Sequence, residues 1–410
     1  VSIVSVCREH RVSLITRGQA TGTTGATVPV DRHSLVMSMQ RMNRILEMNR
    51  DNRFMVVQPG VTNQLVQDAA AEHDFFWPPD PTSASVCTIG GNLAYNSAGP
   101  RAVKYGTPRE NTLALTAVTG SGETLHTGVK TTKGVVGYDL TRLLIGSEGT
   151  LAVITEATLK LTPLQPAKRT LRATYRDVHS AASAVSNIMA QPITPCTLEF
   201  MDGNAIDMVR NHTPASLPEK AGALLMIEID GIESQLDELV SRIVAAASVE
   251  GALEIQRARS QQEVKALWET RKALSPALRR VAPKKINEDV VVPVSRMPEL
   301  VNQLALLSKK HAVQIVNFGH AGNGNLHVNL LYDPEVANQR ENTEACLSDV
   351  FAAVLEMEGT ISGEHGIGLV KRDWVGKELD TTSLKLMHGI KKQFDPDGIL
   401  NPGKTLPALD

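Results

Sequence analysis

The chain has 410 residues, 42% of them hydrophobic and 21% charged, with a formal net charge of -2. That length accommodates roughly two to three domains with sizeable cores, and the near-neutral charge argues against nucleic acid or an anionic lipid surface as the main partner. The 4 cysteines, Cys7, Cys87, Cys196 and Cys346, lie far apart without paired spacing. This favours free thiols in a reducing, cytoplasmic setting. No apolar run approaches the ~20 residues of a membrane helix, and no signal-peptide pattern opens the sequence.

Val1–Glu9 reads as the middle of a helix, which suggests that an N-terminal part precedes it. Val12–Arg17 reads as a strand running into Gly18-Gln19-Ala20-Thr21-Gly22-Thr23-Thr24-Gly25. This loop lacks the Gly-Lys-Ser/Thr ending of a Walker loop and the Gly-x-Gly-x-x-Gly of a dinucleotide fingerprint. Arg53–Gln58 is a predicted strand, Asn63–His73 a helix, and Trp77–Ser83 a stiff, proline-rich passage. A second small-residue loop spans Cys87–Pro100. Leu113–Val118 and Thr124–Thr127 read as a hairpin. Gly137–Leu140 and Leu144–Leu151 then lead into a strand at Val153–Leu161. Four small-residue loops in about 150 residues predict one backbone-lined groove for a long ligand, and main-chain N–H groups can hold a pyrophosphate there.

Pro163–Pro166 reads as a boundary. Beyond it come a strand at Arg169–Tyr175, a helix at Val178–Met189, strands at Cys196–Phe200 and Leu224–Ile229, a helix at Glu233–Val249 and a strand at Ala252–Arg257. Strand–helix–strand units with antiparallel returns predict an α+β domain of ferredoxin-like type. In the helix Ser260–Arg280, Trp268, Arg271 and Ser275 stand at i, i+3 and i+7 and share one side. Helix statistics alone favour a core tryptophan beside a solvated arginine. A strand at Asn287–Pro293 and a helix at Met297–His311 follow.

Val313–Phe318 and Leu326–Leu331 read as short strands around the motif Asn317-Phe318-Gly319-His320-Ala321-Gly322-Asn323-Gly324-Asn325-Leu326-His327-Val328-Asn329. His327 and Asn329 project to one side of their strand, and His320 can reach that side. Some forty residues on stands Ser362-Gly363-Glu364-His365-Gly366-Ile367-Gly368. Two imidazoles and a carboxylate are ligand types that suit zinc and similar cations. Taken alone, the cluster also fits a metal-dependent hydrolase or lyase. Leu384–Phe394 is the last predicted helix, ahead of Asp395–Lys404.

The series Arg17–Gly25, Pro78–Ser83, Cys87–Gly99, Gly137–Leu140 and Leu144–Thr155 resembles the FAD-binding (PCMH-type) half of the vanillyl-alcohol oxidase superfamily. With the two histidine motifs, the chain resembles the branch of D-lactate dehydrogenases, glycolate oxidase D-type subunits and D-2-hydroxyglutarate dehydrogenases. The resemblance implies an α+β protein. Its FAD-binding domain would span residues 1–163, a substrate domain 164–380, and a C-terminal segment, 381–410, would return to the FAD domain. The chain departs from the family pattern at Gln19, Ala20 and Ala152, where glycine is common, and in lacking a strand before Val1. Ala20 keeps its backbone contact unstrained only where φ stays negative.

By resemblance, Arg17, Gly18, Gln19, Ala20, Thr21, Gly22 and Thr23 wrap the pyrophosphate. Pro81, Thr82, Gly90, Gly91, Asn96 and Gly99 line the cofactor. Glu148, Gly149, Val153 and Ile154 hold its ribityl and adenine side, and Asn401 lies near the ring. The first loop has neither His nor Cys, so the FAD is expected to be non-covalent. Arg271 would grip the substrate carboxylate, with Ser275 adding a hydroxyl and Lys285 a second positive charge. Lys284 and Asn287 are rivals for that last place. His320, His327 and Glu364, with Asn329, would hold zinc or manganese, and His365 would be the base. The implied reaction oxidises a D-2-hydroxy acid, D-lactate first, then glycolate or D-2-hydroxyglutarate. Electrons would pass to a quinone, a cytochrome or an electron-transfer flavoprotein. A homodimer, or one FAD-bearing subunit of a glycolate oxidase-type complex, with peripheral contact at the inner membrane, is the implied setting.

Overall fold

The computed structural model describes residues 1–210 and 219–409. Contacts divide the chain into two units. One is Val1–Gly99 with Tyr105–Leu164 and everything from Glu364 onward; the other is Pro100–Lys104 with Gln165–Gly363. The sequence reading drew the second boundary at 380/381, whereas residues 364–380 group by contact with the first unit.

The first unit is built on a five-stranded antiparallel sheet in the order Ile45–Asn49, Phe54–Val57, Ala152–Lys160, Thr112–Thr119, Thr124–Gly128. Phe54–Val57 is apolar at every position and buried at every position, the pattern of a strand covered on both faces. Its core gathers Met55, Val57, Trp77, Leu93 and Leu159. The Trp77 indole N–H donates to the Asn111 carbonyl at 2.9 Å, so its one polar atom is satisfied in the interior. Ser13–Arg17 pairs in parallel with Ser34–Ser38, and Leu14 also bridges Leu400.

Ile89–Tyr95 is a helix where the sequence reading saw only a loop. Thr88 starts it by accepting from the Gly91 N–H at 3.3 Å, and Asn96 ends it in the left-handed region at φ +56°. Gly90 is required inside it, because a Cβ there would meet Pro59 Cβ at 2.7 Å.

The second unit is a seven-stranded antiparallel sheet in the order Ala252–Arg257, Ala167–Tyr175, Ala223–Gly231, Thr197–Asp202, Gln314–Gly319, Asn325–Tyr332, Lys284–Val291. The first four strands, numbered by sequence, run fourth-first-third-second, which is the ferredoxin-like order. Three further strands extend that sheet past Thr197–Asp202, and both histidines sit on or beside this extension. The helix Val178–Met189 has the predicted bounds and is capped by Asp177, which accepts from the Ser180 N–H at 2.8 Å. An 18-residue helix at Gln339–Glu356 was not anticipated, although Cys346, Leu347, Val350, Phe351 and Val354 bury one side of it.

Register decides what shares a face. Asp289 and Phe318 both stand opposite His327, and Asn287 and Val316 both stand opposite Asn329. Cross-strand partners point the same way. The helix Gln261–Val281 covers this face, burying Leu267, Leu274 and Leu278 with Val316 and Phe318.

Trp77→Ala removes a fully buried side chain from the first unit's core. Denaturant unfolding should show a loss of about 3–5 kcal/mol; a loss below about 1 kcal/mol would contradict the packing described.

Candidate functional site

In the first unit a cleft with ≈ 620 Å³ of empty space, counting the part open to solvent, is lined by Thr16–Gly18, Thr88, Gly90, Gly91, Tyr95, Ser147–Gly149 and Ala152–Ile154, among others. Eight residues expected on sequence grounds are in its wall: Arg17, Gly18, Gly90, Gly91, Glu148, Gly149, Val153 and Ile154. The wall is largely main chain and small side chains. A Cβ on Gly18 would run into Thr88 Oγ1, so the strand end and the Thr88 turn can approach this closely only with glycine.

Other expected residues do not line the cleft. Gln19 accepts from Gln40 Nε2 at 2.8 Å on the exposed surface. Thr21, Gly22, Thr23 and Thr82 are also exposed, and Pro81 is half-buried. Ala20 has φ +54°, so the proviso on its backbone is not met, and the left-handed conformation costs about 1–2 kcal/mol. Asn96 Oδ1 accepts from Thr107 Oγ1 at 3.0 Å and Arg109 N–H at 3.1 Å. Asn401 donates to the Glu148 carbonyl at 2.7 Å. The Glu148 carboxylate accepts from the N–H groups of Ile367 (2.6 Å) and Gly368 (2.8 Å). Burial pushes its pKa up, against the opposing pull of those bonds. These three side chains bond to protein and build the cleft's frame.

Tyr95, Met39, Pro59 and Thr88 line the cleft without having been singled out from sequence. Burial first, and the Glu148 carboxylate second, push the Tyr95 phenol up to about 12, so it stays neutral. The Glu364–Gly368 turn is tied down within this unit. Gly99 N–H donates to Glu364 Oε2 at 3.0 Å, and Thr24 Oγ1 donates to the His365 carbonyl at 3.2 Å.

In the second unit the sequence reading missed the residue at the centre. Glu199 is fully buried. Its Oε1 lies 2.5 Å from His320 Nδ1, and its Oε2 accepts from Arg271 Nε at 2.7 Å. The Arg271 guanidinium lies over the Phe318 ring, 4.9 Å from the centroid. His320 and His327 meet edge to face, with centroids 5.2 Å apart. A lone glutamate in the run Thr197-Leu198-Glu199-Phe200-Met201 was the available signal, since a buried charge demands a partner.

Asn329 is fully committed: its amide donates to the carbonyls of Val316 and His327, both at 3.1 Å, and its oxygen accepts from Asn287. Lys285 is half-buried while Lys284 is exposed, and Lys285 shares the face of Asn287. Burial lowers the Lys285 pKa, and Arg279 adds to this. Ser275 is exposed; Leu274 and Leu278 take the buried side of the helix instead. Trp268 donates to Glu228 Oε1 at 3.0 Å. Asp289 accepts from Gly363 N–H at 2.8 Å and Ser362 Oγ at 3.2 Å, fixing the turn just before Glu364.

Two buried carboxylates show what their neighbours decide. Burial raises the pKa of Glu199, but His320 and then Arg271 outweigh it and hold the carboxyl below its ordinary value. The donors to Asp202 among the described residues are amides, including Ala205 N–H (2.8 Å), Asn317 N–H (2.7 Å) and Asn317 Nδ2 (3.0 Å), and burial lifts it to about 7.

Residues 164–405 match the family described as FAD linked oxidases, C-terminal domain, and residues 1–128 match the FAD binding domain family. The chain is 39% identical over 402 residues to glycolate oxidase subunit GlcD of Bacillus subtilis (strain 168), covering 98% of this chain and 85% of that protein. It is 33% identical over 417 residues to D-lactate dehydrogenase of Anaerostipes hadrus, covering 100% and 87%. Among solved structures, p-cresol methylhydroxylase is similar with a TM-score of 0.78 at 15% identity, covering 98% of this chain and 86% of that one. Alkyldihydroxyacetonephosphate synthase is similar with a TM-score of 0.73 at 20% identity, covering 98% and 74%. These two likenesses bear on the fold alone, and they match the fold class expected from sequence.

Asp202 should mark the pH dependence of stability. The folded state keeps its proton up to about 7, whereas the carboxyl ordinarily loses it near 3.8. The folded state therefore binds more protons between those values, and this residue's contribution falls as pH rises through the window. Asp202→Asn should flatten the stability–pH curve between about 4 and 7 in denaturant titrations; an unchanged slope would refute the assignment.

Proposed function

The chain belongs to the FAD-linked oxidoreductases of the glycolate oxidase subunit and D-lactate dehydrogenase type, and on that premise we propose that it oxidises a D-2-hydroxy acid to the 2-oxo acid. D-lactate is the first-choice substrate, with glycolate and D-2-hydroxyglutarate next. The observation that carries this reading is the buried Arg271 beside the His320–His327 pair, joined to it through Glu199. A guanidinium held by its Nε keeps its two Nη groups as a fork for a carboxylate.

The main-chain wall of the cleft fits a long, phosphate-bearing cofactor, and no His or Cys stands between Gly18 and Gly25 to attach one covalently. When bound, FAD supplies at N5 the acceptor for the hydride leaving the substrate Cα. Arg17 and Gly18 would hold it at one side of the cleft, and Gly90, Gly91, Val153 and Ile154 at another. Two imidazoles and a carboxylate fit a borderline divalent cation, so His320, His327 and Glu364 are assigned to zinc or manganese. Bound there, such an ion supplies Lewis acidity toward the α-hydroxyl. Arg271 binds the substrate carboxylate and orients it. Lys285 offers a second positive charge at the same sheet face, suited to a second carboxylate. His365 takes the hydroxyl proton, a role imidazole fills near neutral pH.

A second reading is favoured by the glycolate oxidase relatives, which are named as subunits. In it, this chain carries the flavin and passes electrons to partner chains, and through them to a quinone, cytochrome or electron-transfer flavoprotein. No helix among the described residues is long and apolar enough to cross a membrane. A cytoplasmic protein with peripheral contact at the inner membrane suits either reading. Turnover of the isolated chain with an artificial dye supports the first reading, and turnover only with added partners supports the second.

Anaerobic mixing with a panel of 2-hydroxy acids should bleach the flavin with D-lactate ahead of L-lactate. His365→Ala should keep its flavin and slow that bleaching by about 100-fold or more; wild-type bleaching would remove His365 from its role. Dialysis against a chelator should stop turnover while the flavin spectrum persists, and full activity in metal-free protein would reject the metal assignment.

A further inference from the structure

We propose that Glu199 is a positioning residue that sets His320 and Arg271 together, so that the metal-binding and carboxylate-binding groups of the second unit share one support. The inference rests on the metal reading given above. Its basis is how the carboxylate divides its oxygens: Oε1 lies 2.5 Å from His320 Nδ1, and Oε2 takes the Arg271 Nε–H at 2.7 Å. An ionised carboxylate only accepts hydrogen bonds. Nδ1 must therefore carry a proton, so that whenever the ring is neutral its lone pair lies on Nε2. One bond thus fixes both the tautomer of His320 and the ring nitrogen it offers to a cation. Such outer carboxylates also raise ligand basicity.

The Arg271 side is fixed by the same group. Nε is tied to Glu199, and the guanidinium plane is held over Phe318, so the orientation of the Nη fork follows from the position of Glu199. Phe318 in turn stands opposite His327 in the sheet register. A shift of Glu199 therefore disturbs both groups at once.

The ordinary alternative is a buried ion pair with a structural role only. Glu228 provides the comparison. It is buried on the same sheet, accepting from Lys168 Nζ (2.8 Å), Thr170 Oγ1 (3.0 Å) and Trp268 Nε1 (3.0 Å). None of those partners is a metal-type ligand.

The test uses the full-length flavoprotein, stripped of metal, and titrates Zn2+ by competition with a chromophoric chelator. Glu199→Gln should raise the Zn2+ dissociation constant about 10–100-fold, while Glu228→Gln should leave it within about threefold of the wild type. Equal Zn2+ affinity in Glu199→Gln and wild type overturns this inference and leaves the metal reading standing. An equal loss in both variants also overturns it, because that is the behaviour of a structural carboxylate. A wild-type protein that binds no Zn2+ overturns the metal reading and this inference with it. A second measurement does not depend on Glu199→Gln folding. In metal-free wild type labelled with 15N-histidine, the His320 signals, identified by their loss in His320→Gln, should show the Nδ1–H tautomer. The Nε2–H tautomer would overturn the assignment.

Discussion

A carboxylate sealed from water has to be met by donors on both oxygens, and in the second unit Glu199 meets this demand with Arg271 on one side and His320 on the other. Much of the surrounding architecture serves that contact. The ferredoxin-like strands supply Glu199, the sheet's extension supplies Phe318 and His320, and the long helix brings Arg271 over the same face. Asp202, three residues from Glu199, shows how local the outcome is. It faces amides in place of a cation, and the same burial that Arg271 and His320 overcome leaves it close to neutral.

The first unit uses a buried carboxylate differently. Glu148 spends its oxygens on the N–H groups of Ile367 and Gly368, fastening the turn that carries Glu364 and His365 to the cleft wall. Glu148 itself sits at φ +53°, and Ala20, Asn96 and Asn401 near this region are also left-handed. Such backbone strain persists where the surrounding structure over-determines it, and it gathers at binding sites. The cleft is thus made of main chain bent into shape, with side chains acting as ties behind it.

Most elements were legible from hydrophobic period and turn residues. The helix Val178–Met189, the hairpin around Thr119–Glu123 and the two strands flanking the first histidine motif's turn stand within a residue of where the pattern put them. Ile89–Tyr95 was obscured because Gly90 and Gly91 read as loop, although Thr88 is a sound cap. Ser275 was misjudged by helical arithmetic alone: the spacing placed it beside Arg271, but Leu274 and Leu278 take the buried side. Asn96, Glu148 and Asn401 stand on the loops that the sequence singles out, yet sequence does not tell whether a polar side chain turns to a ligand or to the backbone behind it. Glu199 was the harder case. Its meaning depends on a partner 121 residues away, and only the pairing of Thr197–Asp202 with Gln314–Gly319 brings the two together.

The bridge between Leu14 and Leu400 bears on how the molecule is made. The small core of Val4, Leu14, Val118, Ile399 and Leu400 joins segments that lie on either side of the second unit in the sequence. Synthesis runs from the N-terminus, and domains fold as units while the chain emerges. Every strand of the second unit has been translated before Glu364. The first unit has all strands of its five-stranded sheet before residue 165, yet Leu400 can close beside Leu14 only after the whole of the second unit has been translated. The core of the first unit is therefore closed only after the strands of the second have been made.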